Sequence, residues 1–249
     1  MSIFSKLIAN QYYFDGGGYV RDGLIFMFDS KWNAGKDKYK SNANYMMNLV
    51  NGKKYPLHDF GTRWEFNENQ QLVLKSINDA ISITEVPIDL SDMLTLEVVF
   101  TFSTDNVEEL KTYMTIGSCN FVTRTTKRFA IVDYNYKSGD NTKYNKYGLF
   151  YDVSLIYPNI TTFSLSRSSI LNRFGAASNG ISINPIAVWN DTTYINTSSY
   201  VPNNDMQFKP LPNGINVYIS SIRIYNRQLS NDEILINTQL DNSRFVVSN

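Results

Sequence analysis

Cysteine and histidine are nearly missing from this sequence, with one of each, Cys119 and His58. A lone cysteine permits no intrachain disulfide, which excludes the cystine-stapled class of small secreted domains. It also leaves no Cys/His set for a zinc site. Any Ser-His-Asp or Cys-His device would have to use His58. That residue sits in "YPLHDFG", among turn formers, and reads as a loop residue. Cys119, in "IGSCNF", follows a strand with no base beside it and reads as a structural thiol. Neither charge sign prevails: 23 basic against 23 acidic residues leave a formal net charge of zero. No basic excess therefore favours nucleic acid, and no like-charge block reads as a tail. No apolar run is long enough for a membrane-spanning helix. The opening "MSIFSKLIANQYY" has neither a basic n-region nor an apolar core of signal-peptide length. The expectation is synthesis in a reducing cytoplasm without a standard export signal. The sequons at Asn159, Asn190 and Asn196 are then chance features of an Asn-rich chain.

What the chain does hold is aromatic and turn-forming. Its 249 residues include 17 Tyr, 15 Phe and 29 Asn. Asn favours turns, whereas aromatic and β-branched runs favour strands, so many short strands are expected. "LIFMFDS" (Leu24–Ser30) is a continuous apolar strand. "KWNAGKDKYKSN" reads as a polar loop holding Trp32. "RWEFNENQQLVLK" holds two strands around a turn at Asn67–Asn69, and "AISITEVPI" another. "MLTLEVVFTFS" (Met93–Ser103) carries the strongest alternation. Leu94, Leu96, Val98, Phe100 and Phe102 face one way, and Thr95, Glu97, Val99 and Thr101 the other. "RFAIVDYNY" and "YGLFYDVSLIY" flank the loop "KSGDNTKYNK". "ITTFSLSRSSIL", "GISINPIAVW" and "INVYISSIRIY" complete about a dozen strands. Few helices and many strands imply a sandwich or barrel. With no internal repeat or linker, the economical division is an N-terminal arm, residues 1–22, and one domain, residues 23–249. In the arm, Ile3, Phe4, Leu7 and Ile8 fall at helical spacing, and Gly16–Gly18 form a joint. Those four side chains are the expected contacts of an assembly arm.

The best-formed local signal lies at "SSIRIYNRQLSNDEI", Ser220–Ile234. Alternation runs through Val217 and Ile219, breaks at Ser220-Ser221, and resumes at Ile222 and Ile224. The doubled serine suits a bulge. Ser230 stands three residues before Glu233, the spacing of a capping box, and Leu229 and Ile234 have the spacing of a hydrophobic staple. Asp232 and Glu233 suit the positive end of a helix dipole. A helix of about two turns should follow, pinning the chain end over an open sheet edge.

Taken in order, "GLIFMFDSKWNAG", "NLVNG", "LTLEVVFTF" and "ISSIRIYNRQLSNDEI" resemble the concanavalin A-like jelly-roll superfamily, in its laminin-G-like bacterial and tailed-phage form. Ile222, Ile224, Tyr225, Asn226, Arg227, Leu229, Ser230 and Glu233 match the family's closing strand and corner. "DNSRF" (Asp241–Phe245) matches its usual ending. The family's early Trp-x-Asp-Leu element corresponds to "MMNLVNG". Met46 stands for the Trp, Asn48 for the Asp, and Leu49 is kept, which weakens an ion-binding role there. The resemblance spans residues 23–245. It implies an all-β, two-sheet antiparallel jelly-roll sandwich with an N-terminal arm and a short C-terminal helix.

The superfamily includes glycoside hydrolases, which place two carboxylates a few ångströms apart. The family's Glu-x-Asp-x-x-Glu run is not found here. Glu97 is the lone acid of its strand, and Glu108-Glu109 fall in a loop or helix. No enzymatic activity and no cofactor are expected. Calcium is a ligand the superfamily admits. "DYNYKSGDN" (Asp133–Asn141) offers oxygen ligands but lacks EF-hand spacing, and reads as an Asx-rich hairpin loop. Glycan binding needs an aromatic platform beside amides and carboxylates. Trp189, Asn190, Asp191 and Tyr194 (with Asn196) supply one in a single presumed loop, and Trp32 with Asn33 is a second candidate. The expected function is that of a non-enzymatic structural or interaction protein of a larger particle, a tailed-phage virion surface or capsid-decorating protein. Its partners would be other virion proteins or copies of itself, with its lectin-like face open to host glycans, and neither nucleic acid nor membrane insertion. The alternatives are a free-standing carbohydrate-binding module and, behind it, a glycoside hydrolase.

Overall fold

The structure is a computed structural model. It describes residues 18–34, 44–75, 84–90, 95–102, 111–117, 119–124, 128–137, 144–152, 161–167, 174–178, 181–182, 188–193, 205–211 and 216–245. Between residues 101 and 204 its side chains are described only at 114–117.

The chain runs through β1 (Leu24–Asp29), a short helix α1 (Ser30–Ala34), and a two-stranded ladder of β2 (Tyr45–Met47) with β3 (Lys54–Pro56). β4 (Trp64–Phe66), β5 (Leu72–Leu74), β6 (Thr84–Val86) and the long β7 (Thr95–Phe102) follow. β8 (Lys111–Ile116), β9 (Cys119–Arg124), β10 (Arg128–Lys137) and β11 (Tyr144–Asp152) pair in succession as a meander. Then come β12 (Thr161–Arg167), β13 (Phe174–Ser178), β14 (Ile181–Ser182), β15 (Val188–Thr193), β16 (Met206–Phe208), β17 (Val217–Tyr225) and helix α2 (Asn231–Phe245).

Two antiparallel sheets result. One has the order β14-β13-β12-β7-β17-β5-β4, with β1 also paired to β17. The other has the order β15-β11-β10-β9-β8-β16-β6. The expected all-β, two-sheet antiparallel sandwich with a C-terminal helix is the architecture observed.

β17 holds the first sheet together. β7 runs along one side of it, while β5 and then β1 share the other side. The last strand thus lies against the first, Phe26 opposite Ile224 and Phe28 opposite Ile222. The Ser220-Ser221 break is a bulge, with the register to β7 shifting between Ile219 and Ser221. Its effect is one of parity. Val217 and Ile219 enter the core on odd positions, and Ile222 and Ile224 on even ones. Strict alternation would have turned one of those pairs outward; one extra residue keeps both inside.

The core between the sheets joins Phe26, Phe28, Leu96, Val98 and Phe100 with Val86, Met114, Ile116, Met206 and Phe208. Trp64 meets Phe208 edge-on at 4.7 Å between ring centroids. Full burial of each such side chain contributes roughly 1.5–3 kcal/mol. Leu96, Val98 and Phe100 face inward as their alternation requires. Leu94 lies outside the described residues, as does the side chain of Phe102.

The opposite face of the first sheet is also covered. Thr95, Glu97 and Val99 are fully buried. A second apolar cluster there gathers Tyr19, Leu24, Met27, Met47, Leu49, Tyr225, Leu229 and Ile234. Three local expectations are corrected. Trp32 stands on a helix rather than in a loop, because Asp29 Oδ1 accepts the Trp32 amide at 3.0 Å and caps the turn. "GISINPIAVW" is not one strand: Ile181–Ser182 pairs with β13, and Val188–Thr193 crosses to the other sheet and pairs with β11. Helix α2 has 15 residues, about four turns rather than two. It reaches residues of β1, β7 and β17, so it lies on the sheet's outer face and not over an edge.

Candidate functional site

The sandwich carries an extensive polar cluster beneath α2. At its centre is Arg223, placed on the outer face of β17 by the bulge and fully buried. Its Nε donates to Glu97 Oε2 on β7 at 2.8 Å. Its terminal nitrogens donate to both oxygens of Asp241 on α2, at 2.7 and 2.6 Å, and to the Ser221 hydroxyl at 3.3 Å. Its guanidinium also lies over the Tyr19 ring, 4.5 Å from the centroid. Burial works against the charge on Arg223, but Asp241 and Glu97 outweigh it, and the group is held protonated.

The two carboxylates have further donors in turn. Glu97 Oε2 also accepts from Asn237 Nδ2 at 2.8 Å, and Asp241 Oδ1 from the Tyr19 hydroxyl at 2.9 Å. The Tyr225 hydroxyl accepts from Asn237 and donates to the Val20 carbonyl. Burial first, then the nearby carboxylates, raise the pKa of both phenols, so both remain hydroxyl donors. At the far end of the helix, Arg244 donates to Asp29 at 2.7 and 3.1 Å, and Lys31 donates to the Arg244 carbonyl. A general acid or base must reach substrate. Glu97 and Asp241 are closed to solvent and committed to fixed donors. Chemically, this cluster clamps a helix to a sheet.

The family-like elements are structural as well. Asn48 Oδ1 accepts the amides of Met27 and Val50 at 3.2 and 3.0 Å, and its Nδ2 donates to the Ile25 carbonyl. The position where the family carries Asp is thus spent on tying the "NLVNG" turn to β1. Asn33, offered with Trp32 as a glycan candidate, is fully buried. It donates to the Tyr45 carbonyl and accepts the Met47 amide at 2.6 and 2.7 Å. Trp32 itself is half-buried against the second apolar cluster. His58 is exposed in a turn, as expected.

Trp189, Asn190 and Asp191 lie on β15, an edge strand rather than a loop. Their backbone partners on β11 are Gly148, Tyr147 and Lys146. Trp32 stands on α1 and packs against the second apolar cluster, whereas β15 is an edge strand of the second sheet, so the two candidate platforms belong to different elements. Tyr194 lies outside the described residues, as do Ile3, Phe4, Leu7 and Ile8. Of the calcium candidate, Asp133 to Lys137 continue β10 as strand, and residues 138–143 lie outside the described residues. Among the described residues no group of three or more His, Cys, Asp or Glu could hold a metal ion. The Arg223 cluster escaped notice in the sequence because its members are spread from Tyr19 to Asp241. The one available signal was Arg223 itself, a charge amid the apolar positions of the best strand.

No family model and no curated protein matches the chain. Its fold is similar to the botulinum neurotoxin type G receptor binding domain. That likeness has a TM-score of 0.55 and 12% identity, over 88% of this chain and 52% of that one. It is also similar to the binding domain of botulinum neurotoxin DC, solved in complex with rat synaptotagmin II. Here the TM-score is 0.54 and the identity 12%, over 87% of this chain and 51% of that one. Trypanosoma rangeli sialidase has a TM-score of 0.61 and 9% identity, over 98% of this chain and 39% of that one. The chain spans about half the length of the two toxin domains and about two fifths of the sialidase. At these identities the likeness is one of fold, an antiparallel β-sandwich.

Proposed function

We propose that this chain is a non-enzymatic, lectin-like binding module carried on the surface of a larger particle, a tailed-phage virion, where its sandwich contacts glycans or a surface receptor. The observation that carries the non-enzymatic part is the closure of Glu97. A glycosidase on this scaffold needs open carboxylates on its strands. The acid at the centre of the strongest strand is instead sealed against Arg223 and Asn237. The binding part is supported by the company the fold keeps, since two similar structures are named as a receptor binding domain and a toxin binding domain. The virion context rests on the laminin-G-like closing motif, Ile222 to Glu233. In this reading residues 1–22 form the arm that joins the sandwich to the particle, its last residues, 18–22, being seated on the sandwich, and residues 23–249 form the binding domain. Trp189, Asn190 and Asp191 share the edge strand β15 and are the first candidates for ligand contact, with Trp32 as the second.

A glycan array probed with the full chain, paired with turnover assays on the glycans that bind, tests the proposal. The expected result is saturable binding without product formation. Turnover would overturn the non-enzymatic assignment, and an array with no hit would overturn the lectin-like one. Antibody labelling of particles from the native source tests the virion context separately, with label on the particle surface expected.

A further inference from the structure

The β2–β3 ladder carries charge of one sign. Residues 44–58 hold Lys53, Lys54 and His58 and no Asp or Glu, in a chain whose formal net charge is zero. Both lysines are exposed. Neither ammonium meets a carboxylate among the described residues; each lies over a ring instead. Lys54 Nζ is 4.5 Å from the centroid of Tyr45, and Lys53 Nζ is 4.9 Å from that of Tyr55. Lys75, Arg223, Arg227 and Arg244, by contrast, each have a carboxylate partner. The difference matters chemically. A carboxylate cancels the charge of a lysine, whereas the face of a ring holds the ammonium in place and leaves its charge open.

The ladder is fixed on both faces. Met46 and Tyr55 enter the core between the sheets, while Met47 enters the second apolar cluster with half-buried Tyr45 at its rim. Lys54 stands opposite Met47 across the ladder and so shares the face of Tyr45. The turn is tied down as well, since the Asn48 amide donates to the Lys53 carbonyl and the Leu49 amide to the Met27 carbonyl, both at 2.8 Å. The two cations therefore stand on a base that needs no ordering when a ligand arrives. Exposed amides, Asn44 before β2 and Asn51 in the turn, lie at the two ends of the ladder.

We infer that the β2–β3 ladder is a contact for an acidic glycan, with Lys54 on the Tyr45 face meeting the anionic group and Lys53 adding charge from the neighbouring position. Asn44 and Asn51 are there for hydroxyls. The number of cations favours a sugar over other anions. Nucleic-acid binders make roughly 6–10 phosphate contacts. Basic patches that read anionic lipid gather roughly 4–8 Lys and Arg. Two lysines beside amides and an aromatic rim suit single acidic groups on a polyhydroxy chain. The inference rests on the lectin-like reading, names its ligand class, and adds a contact separate from β15.

An array that pairs carboxylated, sulfated and phosphorylated glycans with their neutral parents tests it in the full chain, followed by titration of the strongest acidic hit at low and high salt. Acidic members should bind severalfold more tightly than their parents, and more weakly as salt rises. Which acidic members bind identifies the group. Lys54→Gln should weaken acidic binding severalfold and Lys53→Gln less, with melting and the binding of neutral parents unchanged. Lys54→Arg should keep the affinity, and Lys75→Gln, whose lysine pairs with Glu65, should change nothing. Hits confined to neutral glycans, or an unchanged affinity in Lys53→Gln/Lys54→Gln, would overturn the inference and leave the lectin-like reading standing. An array with no hit would remove both. Anionic vesicles or single-stranded DNA bound as tightly as the acidic glycan, and lost in the same double variant, would also overturn it, by showing recognition of charge without sugar.

Discussion

Arg223 on β17 and Asp241 on α2 meet in a bidentate pair, with hydrogen bonds of 2.7 and 2.6 Å and almost no solvent on either side chain. The pair joins the last strand to the last helix. Through Tyr19 it also reaches the residues that lead into β1. A buried pair of this kind is seldom a net source of stability, because desolvation of the charges is large. Losing one partner is the costly event, since the other is left charged and uncompensated.

Asp241→Asn should therefore destabilise the domain by about 3–5 kcal/mol. Urea unfolding at pH 7 measures it. A loss under about 1 kcal/mol, the range of surface pairs, would show that the clamp is not closed to water in solution.

Glu97→Gln separates scaffold from chemistry. The amide keeps the size of the carboxylate and removes its charge beside Arg223. A lowered urea midpoint with unchanged glycan affinity is expected. An unchanged midpoint together with a change in any turnover of glycans would assign Glu97 a catalytic role instead.

The capped corner is a third test. Ser230 Oγ accepts the Glu233 amide at 3.3 Å, and Glu233 Oε2 accepts the Ser230 amide at 2.8 Å. Ser230→Ala should cost about 1 kcal/mol. Glu233 also pairs with Arg227, and this hydrogen bond, more than the cap, lowers its pKa from 4.5 to about 2. A depressed carboxylate pKa stabilises the fold above the unfolded value and loses that contribution as pH falls through the folded one. The gap in stability between the native chain and Glu233→Gln should thus be widest above pH 4.5 and narrow toward pH 2. A gap independent of pH would remove the ion pair from the account.

The corner was legible because it is local. Leu229, Ser230, Glu233 and Ile234 lie within six consecutive residues, and capping rules act at that range. The core side of β7 was legible for the same reason: alternation of Leu96, Val98 and Phe100 is a property of one strand. The far side of that strand was not. Glu97 reads as an exposed acid until β17 is beside it and α2 is above it, and both arrive more than a hundred residues later. Trp32 misled through composition. A polar, lysine-rich stretch reads as a loop, yet Asp29 at its start caps a helical turn. Trp189 and Asp191 read as loop residues in the sequence because no apolar periodicity marks "VWNDTT". The pairing with β11 makes it a strand, and pairing partners are not written in the segment itself.

Ligand contact can be assigned by comparing the two candidate platforms. Trp189→Ala should weaken glycan binding by about 2 kcal/mol, roughly thirtyfold, if the β15 edge carries the hot spot. Trp32→Ala should instead lower the melting temperature, because Trp32 packs on the second apolar cluster. Isothermal titration and thermal unfolding of both variants distinguish the assignments. Loss of affinity in Trp32→Ala alone would move the site to α1.

The last prediction concerns where the arm ends. Residues 18–22 are bound into the body of the domain. Tyr19 is buried and donates to Asp241, Val20 is bonded to Asn237 and Tyr225, and Asp22 pairs with Arg227 at 2.8 Å. A deletion that stops at residue 17 leaves all of these in place, and one that continues through residue 22 removes them all. Losing a buried aromatic costs roughly 3–5 kcal/mol, and each kcal/mol shifts the melting temperature of a domain this size by about 2–4 °C. Removing residues 1–22 should therefore lower it by at least about 6 °C on those figures. Removing residues 1–17 leaves the clamp untouched, so its effect on melting should be much the smaller. If Ile3, Phe4, Leu7 and Ile8 serve assembly, this shorter deletion should still abolish incorporation into the particle. Equal melting of the two truncated proteins would place the boundary at residue 22, and incorporation of the shorter deletion would end the assembly role of the arm.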